Sequence, residues 1–106
     1  MDIVLNMLKG DTLSFGVQLE GVTTLDTAFF SCKTSYSDNN YVFQKSIGNG
    51  IWKESDGLYG IRVAPEDTEN VIAGGYYCDL QIGVNGDVFT VLNGVLNIEN
   101  DVTREV

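Results

Sequence analysis

Residues 74–98 read Gly-Gly-Tyr-Tyr-Cys-Asp-Leu-Gln-Ile-Gly-Val, then Asn85-Gly86, then Asp-Val-Phe-Thr-Val-Leu-Asn-Gly-Val-Leu-Asn-Ile. Two β-favouring runs thus flank an Asn-Gly pair, which supplies the positive φ that both central residues of a type I′ turn require. A two-residue loop also sets the pairing. Val84 then opposes Asp87, Ile82 opposes Phe89, Leu80 opposes Val91 and Cys78 opposes Asn93. Opposed residues share a face of the sheet, so Tyr76, Cys78, Leu80, Ile82, Phe89 and Val91 are expected to point inward. Carried on unbroken, this register buries Asn93 and Asn97 and exposes Leu96 and Ile98, which is energetically backward. The pattern therefore predicts a β-bulge at Asn93-Gly94, with the glycine in the positive-φ conformation that bulges often use. Tyr77 and Leu92 are left on the outer face.

The rest of the chain follows the same two-residue period. Ile3 to Leu8 reads as a short strand or an N-terminal arm. Thr12 to Leu19 alternates, placing Leu13, Phe15, Val17 and Leu19 on one face. Further strands are expected over 27–36, 41–47 and 58–63. Trp52 falls between Gly48-Asn49-Gly50 and Asp56-Gly57 and is left unassigned. Pro65 suits the first position of a helix, and Glu66, Asp67 and Glu69 place negative charge at its positive end, so one helical turn is expected near 65–70. The fold class is all-β, an antiparallel sandwich of about seven strands. A chain of 106 residues supports one core, and 1–106 is read as a single domain, with 1–8 an arm or edge strand.

Charge and composition exclude several functions. Fifteen acidic residues against six basic ones give a net charge of −9. The six cations are scattered, so nucleic acid is not an expected partner. No apolar run approaches the ~18 residues of a membrane span, and the start lacks the basic and apolar regions of a cleavable signal. Histidine is absent, which removes the side chain that titrates near neutrality unaided. Cys32 and Cys78 alone fall short of a zinc site. Glu66-Asp67, and Glu99 with Asp101, lack the spacing of a calcium loop. Lys9-Gly10-Asp11-Thr12 lacks that of a phosphate loop. No catalytic residue, cofactor or metal is assigned.

Two features remain. Cys32 and Cys78 both sit on core parities and could form an inter-sheet disulfide. In a chain read as unexported, two reduced cysteines acting as small apolar fillers are preferred. Tyr77, Leu92 and Phe29 point outward, and such side chains on a sandwich either form a protein–protein interface or lie half-buried under a loop. A sugar-stacking platform involving Trp52 is the alternative.

Two family resemblances bear on these residues. Pro65-Glu66-Asp67-Thr68 followed by Tyr76-Tyr77-Cys78 resembles the immunoglobulin variable-domain signature, in which a corner tyrosine precedes the cysteine by two residues. Here residues 69–75 lengthen the link, and Trp52 follows Cys32 by twenty residues. The second resemblance spans residues 9–104. Lys9-Gly10-Asp11-Thr12-Leu13-Ser14-Phe15, Glu66-Asp67-Thr68, Ile72-Ala73-Gly74, the Tyr76 to Ile82 strand, Leu92 to Ile98 and Asp101-Val102-Thr103-Arg104 are together similar to immunoglobulin-like sandwich domains of phage tail and baseplate proteins. This resemblance implies a non-enzymatic virion component, made in the host cytoplasm. It would oligomerise and pack against itself or other tail proteins, without nucleic acid or membrane. An immunoglobulin-type surface binding module and a carbohydrate-binding module are the alternatives.

Overall fold

The computed structural model describes residues 2–100 and Val102. Asp101, Thr103 and Arg104, invoked above, lie outside the described residues. Among the described residues eight strands form in chain order: β1 (Asp2–Leu8), β2 (Leu13–Gln18), β3 (Thr27–Lys33), β4 (Phe43–Ile47), β5 (Gly50–Ser55), β6 (Leu58–Val63), β7 (Gly74–Val84) and β8 (Asp87–Glu99). The helical turn α1 (Pro65–Thr68) begins at Pro65 as expected. Trp52, unassigned from sequence, lies in β5. Its isolated side chain and the polar run Lys53-Glu54-Ser55 hide a strand that has only one buried residue, Ile51.

Hydrogen bonding orders the strands β1-β8-β7-β3-β4-β5-β6-β2. β4 and β5 are joined through only Ser46↔Gly50 and Ile47↔Ile51. The sheet folds over at this narrow junction. Phe15 of β2 and Phe30 of β3 stand far apart in the strand order, yet their rings meet edge to face with centroids 5.5 Å apart. The result is a sandwich of β1-β8-β7-β3-β4 against β5-β6-β2. Pairing is antiparallel except at β4–β5 and at β1, which runs parallel to β8 along seven residues. Asp2–Leu8 thus forms an edge strand.

The core lies between the halves. Phe30, Cys32, Leu80, Ile82, Leu96 and Ile98 face Ile51, Tyr59, Ile61 and Val63, all buried. The Leu13-Phe15-Val17-Leu19 stripe packs against this cluster, as its period requires. Tyr59 also does polar work: its hydroxyl accepts a hydrogen bond from the buried Leu25 N–H at 2.8 Å, pinning the loop between β2 and β3. Tyr59→Phe should cost about 1–3 kcal/mol by stranding that donor. Urea denaturation measures the loss, and unchanged stability would show that water replaces the hydroxyl.

The hairpin forms at Asn85-Gly86, with φ of 53° and 87°, and Ile82 opposes Phe89 as expected. The bulge is elsewhere. The register shifts between Leu80 and Gln81: Gln81 opposes Thr90, Leu80 opposes Leu92 and Cys78 opposes Gly94. Val91 is therefore the extra residue, and Gly94 does not have positive φ. An early bulge turns Leu92 inward with Leu80, where it packs on the core. A bulge at Asn93-Gly94 would have left that leucine in water. Leu92 is thus removed from the outer face. Phe89, expected inside, is 51 % exposed, because the hairpin tip extends past the core.

Tyr76 donates its hydroxyl hydrogen to the Ile72 carbonyl. This is the corner tyrosine of the immunoglobulin pattern, two residues before Cys78, closing a turn across the lengthened link. Strand order, corner and core together make the chain an immunoglobulin-like sandwich.

Candidate functional site

The outer face of the larger sheet-half is built by alternation. β3 presents Phe29, Ser31 and Lys33, and β7 presents Tyr77, Asp79 and Gln81. Antiparallel pairing sets them in rows: Phe29 opposite Gln81, Ser31 opposite Asp79 and Lys33 opposite Tyr77. β4 extends two of these rows with Ser46 and Gln44. Gln44 Nε2 donates to Ser31 Oγ at 3.0 Å. β8 continues the face on the other side, with Val95 opposite Tyr77 and Asn93 opposite Asp79.

The loop from β3 to β4 completes the site. Its sequence, Thr34-Ser35-Tyr36-Ser37-Asp38-Asn39-Asn40-Tyr41, favours turns: Asp38 Oδ1 accepts from the Asn40 N–H at 3.0 Å, the local bond that Asx residues supply. The loop folds back so that the Tyr36 ring lies on the Tyr77 ring, with centroids 4.3 Å apart. Tyr41 lies beneath the Lys33 ammonium, 5.0 Å from Nζ to centroid. Such a contact contributes roughly 0.5–1 kcal/mol at an exposed site. A groove of about 510 Å³ results, lined by Phe29, Lys33, Tyr36, Tyr41, Tyr77 and Asp79 among others.

Electrostatically the groove is mild. Burial pushes the Asp79 carboxyl above the usual carboxylate range, and Lys33 partly offsets this. Among the described residues no group of three or more His, Cys, Asp or Glu side chains could hold a metal ion. What the groove offers is contact: aromatic rings with polar edges, two amides, a cation and an anion. Tyr and Ser/Asn-rich surfaces of this kind give binding area at low conformational cost.

Of the predicted interface residues, Phe29 and Tyr77 come together here and Leu92 does not. Lys33, Tyr36, Tyr41 and Asp79 were not anticipated. Lys33 lies four residues from Phe29 and Asp79 two from Tyr77, so strand parity alone carried two of them. Tyr36 and Tyr41 depend on a loop conformation that no period encodes. Trp52 lies apart, in the other half. Its ring packs over Gly60, leaving no room for a β-carbon there, and its indole N–H donates to Glu54. It therefore shares no platform with the groove tyrosines.

Cys32 and Cys78 are not placed as an inter-sheet bridge. They are direct partners on neighbouring strands of one sheet, and both are buried and free. Asp67 of the acidic Glu66-Asp67 pair is engaged by Lys45, Nζ to Oδ2 2.6 Å.

No protein-family model matches the sequence, and no curated protein is significantly similar to it. Solved structures are similar in fold. The NK cell receptor Nkp44, a triggering partner in natural cytotoxicity, superposes with a TM-score of 0.56 at 16 % identity, over 91 % of this chain and 96 % of that one. The extracellular domain of the voltage-gated sodium channel beta4 subunit, described as a parallel homodimer with a role in cell–cell adhesion, gives 0.51 at 12 % identity over 95 % and 93 %. An endo-beta-1,4-mannanase from Thermotoga petrophila gives 0.56 at 12 % identity over 92 % of this chain, which spans only 18 % of the enzyme. At these identities the likeness establishes the fold.

Proposed function

We propose that the chain is a non-enzymatic binding module of the immunoglobulin type, acting through protein–protein contact at the groove on β7, β3 and β4. One observation carries this reading. Six side chains from two strands and a loop converge on a surface that the core does not need, with Tyr36, Tyr41, Tyr77 and Phe29 all exposed. Nkp44, described as a receptor and triggering partner, and the beta4 subunit, described as having a role in cell–cell adhesion, support a surface-binding role. The phage tail or baseplate setting rests on the sequence motifs alone. In that setting the same face would pack against neighbouring tail proteins.

The partner tested first is a second copy, because the beta4 domain is described as a homodimer. With a net charge of −9, two copies repel, and that repulsion is screened beyond about 8 Å at physiological salt. Sedimentation equilibrium at 150 mM and 1 M salt should therefore show association that strengthens as salt rises. The Phe29→Ser/Tyr77→Ala double variant should weaken it at least about tenfold, the scale expected when aromatic anchors are truncated. A dimer indifferent to both substitutions would place the interface elsewhere. A monomer at every concentration would eliminate the second copy as occupant.

A further inference from the structure

We propose that Cys32 and Cys78 form a latent cross-strand disulfide site, closed by exchange with a low-molecular-weight disulfide and tying β3 to β7 directly beneath the groove. The register carries this. Cys32 opposes Cys78 in an unbroken antiparallel ladder from Thr27↔Gly83 to Lys33↔Tyr77. Directly opposed residues in such a ladder have Cα atoms about 4.5–5.5 Å apart and side chains on one face. Disulfides span Cα separations of about 4.4–6.8 Å, so the bridge needs no strand movement. The flanking pairs are Lys33↔Tyr77 and Ser31↔Asp79, the central rows of the groove. Closure would therefore fix the floor on which those side chains stand.

The chemistry balances with oxidised glutathione as the disulfide. A Cys78 thiolate attacks one sulfur, forming a mixed disulfide and expelling one glutathione thiolate. The Cys32 thiolate then attacks Cys78 Sγ and expels the second. Two protein thiols lose two electrons and two protons, and one glutathione disulfide becomes two glutathione thiols. Cys78 is the better first nucleophile, being 4 % exposed where Cys32 is wholly buried. Burial pushes the Cys78 thiol up to about 11, Asp79 adding to the rise, and the Cys32 thiol to about 12, Cys78 adding to it. The reactive thiolate is thus scarce at neutral pH. Closure is accordingly expected during folding or local opening, and the reduced pair should persist in the folded state.

The test is refolding from denaturant in glutathione buffers poised oxidising or reducing, followed by intact mass, thiol titration in denaturant and calorimetry. The oxidised product should be a monomer lighter by two hydrogens, without titratable thiols. Closing a loop on the order of 45 residues should raise its Tm by at least about 8 °C. Cys32→Ser, refolded the same way, should show none of these changes. Two free thiols after oxidising refolding, a glutathione adduct that never resolves, an intermolecular dimer, or a closed form with lower Tm would each overturn the proposal.

Discussion

Lys45→Met should lower the unfolding free energy by about 3 kcal/mol or more, the cost of leaving one member of a buried ion pair alone. Lys45 is 8 % exposed on the inward parity of β4, beside the equally inward Phe43. Its ammonium reaches Asp67 at 2.6 Å, and the same Asp67 oxygen accepts the Ala64 N–H at 2.7 Å. One lysine thereby ties β4 to the turn linking β6 and β7, at the point where the sheet folds over. Gly50 shapes the stem's path: a β-carbon there would lie 2.8 Å from Lys45 Cδ. Domains of this size unfold with only about 5–15 kcal/mol, so the loss should lower Tm by more than about 10 °C. Asp67→Leu added to Lys45→Met should restore most of the stability, since removing both charges leaves neither stranded. Urea denaturation of the two variants checks both statements. A Lys45→Met loss below about 1 kcal/mol would mean that Asp67 is solvated well enough to need no partner.

Lys45 also marks where sequence reading ends. Strand period identified the inward faces of β2, β3 and β7 because apolar residues occupy every second position there. On β4 the inward position holds a cation, so polarity and burial point in opposite directions. Only the tertiary partner, 22 residues away at Asp67, resolves the conflict. The bulge shows a different limit. Asn97 beside Ile98 requires a change of parity somewhere in β8, and that requirement is legible. Its position depends on whether Val91 or Leu92 is the better core neighbour opposite Leu80, which is a packing question. The groove divides similarly. Phe29 and Tyr77 follow from alternation within their strands, whereas Tyr36 reaches Tyr77 only because the loop folds back across the sheet.

Gly94→Ala should detach β1. The glycine is not needed for backbone freedom, since it lacks positive φ. It is needed because β1 crosses it: a β-carbon at Gly94 would stand 1.8 Å from the Ile3 carbonyl oxygen and 2.9 Å from the Ile3 nitrogen. These are backbone atoms in the middle of the parallel ladder Asp2↔Asn93 to Leu8↔Glu99, so no side-chain rotation relieves the clash. Either β1 moves away or β8 bends. β8 is held along its other edge by β7, while β1 is an edge strand with one neighbour, so β1 is the element that yields. Its departure uncovers Met7, which is 7 % exposed, together with the half-buried Ile3 and Leu5. At about 1.5–3 kcal/mol for a fully buried side chain and less for the partly buried pair, the loss is about 4 kcal/mol. Hydrogen exchange should show protection lost along 2–8 and on the facing amides of β8, with the β3–β7 ladder intact. Gly74→Ala is the control, because a β-carbon there meets nothing within 4 Å, and its stability should stay within about 0.5 kcal/mol of the parent. Should Gly94→Ala keep full protection over 2–8, β1 must lie farther from β8 than this crossing requires.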